Sequence, residues 1–158
     1  MILLILKKIQ DCNVSDTCQQ LANVAEKAGL RMLINRKYND EYNGHECIEG
    51  SICEIYTDNP NRENSRNTFC CQFVIEDFDG INIDWLDIGD DHFQAISLEV
   101  FRTEQYDKFF FDFAISYFED NYNDYLVYDS EEWAYSANEI MKLKDIPYNE
   151  SWMYEKLV

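Results

Sequence analysis

The chain opens on Ile-Leu-Leu-Ile-Leu-Lys-Lys-Ile at residues 2–9. A short, nearly continuous apolar run of this length predicts a buried strand. It is far below the ~20 residues needed to span a bilayer, and its lysines follow the apolar block where a secretory leader carries them in front. Next, Cys18, Leu21, Ala22, Ala25 and Ala28 recur at helical spacing, with Ser15 or Asp16 as the expected cap and Gly29 as the stop. Glycine reaches the left-handed conformation that ends helices without a Cβ penalty. Leu30–Ile34 reads as either a short strand or the tail of that helix, and the polar residues 35–44 read as a loop.

Alternation then takes over. Ile52, Glu54 and Tyr56 interleave with Cys53 and Ile55, which predicts a strand near 47–57. Residues 58–67 are polar, contain Pro60 and lie between two apolar runs, the signature of a long hairpin loop. Phe69, Cys71, Phe73 and Ile75 share one face of the following strand, and Ile96, Leu98 and Val100 mark another over about 93–101. Ile81, Ile83 and Trp85 alternating with Asn82 and Asp84 fit a half-buried edge.

The last third alternates helix, strand and helix. Tyr106, Phe109, Phe110, Phe113 and Tyr117 lie three or four apart near 104–120, and Phe111, Ala114 and Phe118 widen the stripe. So broad an apolar face predicts a helix packed on two sides. Asn121–Asp124 is a turn and Tyr125–Tyr128 a short strand. A final helix is expected to start at Ser130, with Glu131 and Glu132 in its first turn and Lys142 and Lys144 at its end, an order that suits the helix dipole. Its buried stripe would be Trp133, Ala137, Ile140 and Met141, and Pro147 prevents simple continuation. The order β-α-β-β-β-α-β-α predicts one α+β domain over residues 1–158, a mainly antiparallel sheet with helices on one face.

Composition changes this picture at one point. At 158 residues with 46% hydrophobic content, the chain can bury roughly two thirds of its unfolded surface. The net charge is -18, from 13 Lys+Arg against 31 Asp+Glu. Of those, 21 acids but only 5 bases fall after residue 70. Charge of up to about −8 serves solubility. The excess works against compaction, and a basic partner accounts for it.

Catalytic and metal patterns are absent or broken. With Gly80 as the sixth residue of a calcium loop, Ile75 and Leu86 would occupy the first and twelfth positions, where oxygen ligands are required. Adventitious calcium at Asp87, Asp90 and Asp91 is a separate reading. His45 with Cys47 and Cys53 is the sole conceivable metal cluster, and Asp91-His92 the sole base-and-orienter pair. Six cysteines without an export signal are expected to be reduced and buried. No glycine-rich phosphate loop or nucleophile elbow occurs. The sequence therefore predicts no enzyme, no cofactor and no resident metal.

Two base-free segments carry the functional expectation. The first, 76–91, contributes Asp77, Asp79, Asp84, Trp85, Asp87, Asp90 and Asp91. The second, 119–132, contributes Glu119, Asp120, Tyr122 and Asp124. Carboxylates steer a cationic partner, and aromatic side chains supply contact area at low entropic cost.

A small acidic α+β domain of this kind, with the closing segment Trp133-Ala134-Tyr135-Ser136-Ala137-Asn138-Glu139-Ile140-Met141-Lys142-Leu143, resembles the immunity proteins that bacteria deploy against polymorphic and contact-dependent-inhibition toxins. The resemblance is one of type and assigns no residue by motif. It implies a cytoplasmic protein, a basic toxin domain as partner and a nuclease as the toxin class, since a nuclease groove is basic in order to hold phosphates. Direct contact with nucleic acid or membrane is not expected. The alternative is a DNA mimic that inhibits a restriction or CRISPR enzyme, whose acids would form a regular stripe along an elongated body.

Overall fold

The apolar run that starts the chain becomes an interior strand. The computed structural model describes residues 2–8, 14–38, 41–42, 45–57, 69–78, 93–100, 104–128 and 132–158. Its elements are β1 (Ile2–Lys8), α1 (Val14–Lys27), β2 (Leu30–Tyr38), β3 (Glu41–Tyr42), β4 (His45–Thr57), β5 (Phe69–Phe78), β6 (Phe93–Val100), α2 (Glu104–Asp120), β7 (Tyr125–Tyr128), β8 (Trp133–Ser136) and α3 (Ala137–Leu143). A 3-10 turn follows at Glu150–Met153. The strands form one sheet in the order β2-β4-β5-β6-β1-β7-β8, with β3 paired to β4 beside it. Every described ladder is antiparallel. The architecture is the expected one, a mixed α+β domain with helices packed alongside an antiparallel sheet.

The helices explain themselves from their spacing. α1 buries Val14, Thr17, Cys18, Leu21, Val24 and Ala25, one stripe at i, i+3, i+4 and i+7. It begins at Val14, so Ser15 and Asp16 lie inside its first turn and do not cap it. Gly29 ends it at φ +75°, where a Cβ would strain the backbone. α2 buries residues almost all round, from Phe110 and Phe111 through Phe113, Ala114, Ile115, Tyr117 and Phe118. It packs against α1, α3, β5 and the 3-10 turn, which agrees with the width of its stripe. Trp152 stacks on Phe110 at 5.4 Å and meets Phe111 edge-on at 5.2 Å, fastening the C-terminal segment to α2.

The sheet departs from expectation in three places. β2 runs on through Arg36, Lys37 and Tyr38, with a bulge between Ile34 and Arg36, where a loop was expected from residue 35. Polar residues are tolerated there because β2 is the last strand in the order, and charged side chains on an edge discourage further pairing. Within that same stretch, Glu41 and Tyr42 pair with Glu46 and His45. Trp133–Ser136 is a strand and not the start of the final helix, because its four residues pair in register with β7. The helix cap is Ser136. Its hydroxyl accepts from the Glu139 backbone N–H at 3.4 Å, and the Ser136 N–H donates to the Glu139 carboxylate at 2.8 Å, a reciprocal capping box.

Burial is two-sided at the β1-β7-β8 end of the order. Ile5 and Leu6, Leu126 and Val127, and Ala134 and Tyr135 are neighbouring pairs in which both members are buried. Successive strand residues point to opposite faces, so both faces of the sheet are covered there. The expected loop 58–67 and edge strand 81–85 lie outside the described residues. β4 and β5, which flank the former, do pair antiparallel.

Candidate acidic interface

Register places the ends of the two acidic segments. β5, β6, β1 and β7 are consecutive neighbours in the sheet. Asp77 lies opposite Gln94, Phe93 opposite Lys8, and Leu6 opposite Tyr125. The end of β5, the start of β6, the end of β1 and the start of β7 therefore share one end of the sheet. Strands sit about 4.8 Å apart, so β5 and β7 are separated there by roughly 15 Å. The chain leaves β5 at Phe78 and re-enters at Phe93, and the second segment reaches β7 from α2 through residues 121–124. Asp77 is at the end of β5, whereas Asp79, Asp84, Trp85, Asp87, Asp90 and Asp91 lie outside the described residues, as do His92 and Asp129.

The same end holds two acids that sequence reasoning passed over. Cys47 lies opposite Phe78, and just before it Glu46 is paired with Glu41. The missed signal was Asn43-Gly44, a dipeptide that favours two-residue hairpins and here separates the paired Tyr42 and His45. The register sets two acidic residues, Glu41 and Glu46, opposite each other on neighbouring strands.

The second segment divides into residues turned outward and residues turned in. Glu119 is exposed, but its carboxylate accepts from Lys27 Nζ at 2.7 Å and from Lys144 Nζ at 2.6 Å. These bonds, Lys144 first and Lys27 second, hold its pKa at about 2 against an ordinary 4.5. The Glu119 hydrogen bond in turn raises that of Lys27. The cluster ties the ends of α1 and α2 to the residue that follows α3. Asp120 is freer, its side chain 66% exposed and 3.6 Å from Lys27. Tyr122 is 75% exposed, the most open large apolar residue among those described.

Asp124 is different, and it leaves the candidate surface. It is only 4% exposed. Continuing the β1–β7 register by one residue sets it opposite Lys7, whose Nζ lies 3.6 Å from Asp124 Oδ2. Tyr117 donates its hydroxyl to the same oxygen at 2.8 Å. Beside it Asn121, also buried, accepts through Oδ1 from Lys7 Nζ at 3.0 Å and from Gln20 Nε2 at 2.7 Å, and donates through Nδ2 to the Tyr117 carbonyl at 2.8 Å. A buried charge is tolerated only when paired and hydrogen-bonded, and this network meets that condition with groups from β1, α1, α2 and the turn. Asp124 therefore works inside the protein.

Two further lysines form ion pairs. Lys108 pairs with Asp112, and Lys156 with Glu139 at 2.8 Å. Each such pair uses one acid for one cation, so the net charge of -18 is unchanged by them. Among the described residues no group of three His, Cys, Asp and Glu side chains is arranged to hold a metal, and no helix is long and apolar enough to cross a membrane. Cys18 is fully buried in α1. No family model, curated protein or solved structure matches this chain.

Proposed function

We propose that this protein is a non-catalytic acidic inhibitor of the immunity type, which neutralises a cognate toxin domain, a nuclease, by covering its basic groove or an adjacent exosite. The observation that supports this reading best is the gathering, at one end of the sheet, of the strand ends that flank both acidic segments. By register Glu46 and Asp77 fall toward that end, and Asp120 closes α2 a short turn before β7. Long-range attraction between such acids and a cationic surface raises association rates toward roughly 10⁸–10⁹ M⁻¹s⁻¹ at low salt.

The test is a tagged pull-down from the native host, nuclease-treated and eluted with a salt gradient, followed by reconstitution with the purified partner domain. A toxin domain released only at high salt, and inhibited stoichiometrically by the pure protein, is the expected result. In the reconstituted pair, reversing Asp84, Asp87 and Asp120 to Lys is expected to weaken binding at least about tenfold, a loss of ~1.4 kcal/mol, with the fold retained. Recovery of a restriction or CRISPR enzyme would transfer the same electrostatics to DNA mimicry. Unchanged affinity in the folded triple variant would remove the acidic end as the binding surface.

A further inference from the structure

The α2–β7 turn combines a costly interior with an unprotected tip. Its two outer residues, Asn121 and Asp124, are buried and held by Lys7, Gln20 and Tyr117. Its two central residues, Tyr122 and Asn123, are exposed. Closing a turn does not require a buried lysine–aspartate pair, since the desolvation of two charges offsets much of their attraction. What such a network does provide is a single backbone geometry. A rigid turn carrying an exposed aromatic ring has its ordering entropy removed before any partner arrives, and that preorganisation is a main source of affinity at interfaces. Asp120, two residues before Tyr122 in the chain, keeps its side chain 66% exposed beside Lys27 at 3.6 Å, while Glu119 is held by two lysines.

We propose that this turn is the anchor of the partner interface. An arginine of the cationic partner stacks on Tyr122 and pairs with Asp120, while Lys7, Gln20, Tyr117 and Asn121 act as positioning residues. Arginine fits better than lysine because its planar guanidinium both stacks on an aromatic face and bridges to a carboxylate. The inference rests on the proposed reading of a basic protein partner, and narrows it to one contact point and one side-chain chemistry.

The experiment is an amide chemical-shift titration of the full chain with octa-arginine, repeated with octa-lysine. Shifts at residues 120–123, with octa-arginine binding there more tightly than octa-lysine, are expected. Tyr122→Ala is expected to weaken that binding by about two- to fivefold, the value of an exposed cation–π contact. Gln20→Ala tests positioning without touching the tip. It should speed amide exchange at 121–124 and lower the affinity for octa-arginine while the melting temperature stays close to that of the parent. Faster exchange with unchanged affinity would overturn the positioning role. Shifts confined to other acidic residues would overturn the turn as anchor and leave the proposed function standing. If octa-arginine perturbs no part of the protein, the turn fails as anchor, while the proposed function is decided separately by the pull-down and reconstitution.

Discussion

Replacing Asp124 with alanine tests the interior network directly. In the parent, Lys7 Nζ and Asp124 Oδ2 are 3.6 Å apart, in a site where both side chains are almost wholly buried. At an effective dielectric of about 20 that separation corresponds to roughly 4–5 kcal/mol of attraction before desolvation is counted. The substitution removes this attraction but leaves the lysine buried, and it also deletes the acceptor of the Tyr117 hydroxyl bond. Breaking one partner of a buried pair typically costs about 3–5 kcal/mol. The surviving Lys7–Asn121 bond of 3.0 Å argues for the lower end, about 3 kcal/mol. With a urea slope near 2 kcal/mol/M for a domain of this size, the unfolding midpoint falls by about 1.5 M. Equilibrium urea denaturation followed by near-ultraviolet circular dichroism reads this shift. The companion variant is Lys7→Met with Asp124→Leu, which removes both charges and fills their space. It is expected to regain most of the loss, since apolar replacement of a buried pair is often neutral. A midpoint drop below about 0.5 M in Asp124→Ala, or a double variant as unstable as the single one, would refute a charge-pair account of this site.

Three further substitutions probe other links in the fold. Glu119→Gln removes the negative charge and one of the two oxygens that accept from Lys27 and Lys144, and should cost no more than about 1 kcal/mol at neutral pH. Because the folded pKa of Glu119, about 2, lies below its ordinary 4.5, its contribution is complete above 4.5 and fades as pH falls toward 2. The parent–variant difference in urea midpoint should shrink across that window, and a constant difference would contradict the assignment. Ser136→Ala deletes the α3 cap and should lower stability by about 1 kcal/mol, read as a fall of a few degrees in the melting temperature. Tyr135→Phe removes a hydroxyl that donates to the Glu155 carbonyl at 2.9 Å and accepts from the Leu157 N–H at 2.8 Å. Amide exchange at Leu157 should accelerate with a stability loss of about 1–2 kcal/mol, and unchanged exchange there would remove Tyr135 as the clasp of the C-terminal segment.

Strong periodicity was readable in the sequence, and pairing was not. The stripes of α1 and α2 and the alternation of β4, β5 and β6 located those elements within a few residues, because each pattern reports on one face of one element. β8 was misread as helix because Trp133, Ala137 and Ile140 satisfy helical spacing, while the ladder to β7 that makes Trp133–Ser136 a strand is a contact between separate segments. Ser136 and Glu139 carried the true start as a capping box, but Ser130 with Glu131 and Glu132 offered a competing cap. At the acidic interface the residue types were legible and their depth was not. Asp120 and Asp124 look alike in sequence, yet one is open to solvent and the other is opposite a lysine supplied by the first strand. Nothing local to Asp124 announces Lys7, which lies more than a hundred residues earlier.

The interior position of β1 has a consequence for how the chain is made. Its neighbours are β6, at residues 93–100, and β7, at residues 125–128. Within this chain β1 is thus made well before either of the strands it pairs with. The apolar segment Ile2–Leu6 stays without its ladders until residues 93–100 and 125–128 have been synthesised. Pairings of such long sequence separation form slowly, and unpaired apolar strands are where association with other chains begins. A chain halted after α2 would hold β1 by β6 alone, with the buried lysine missing its aspartate. Synthesis of residues 121–128 is what gives β1 a second neighbour and Lys7 a counterion.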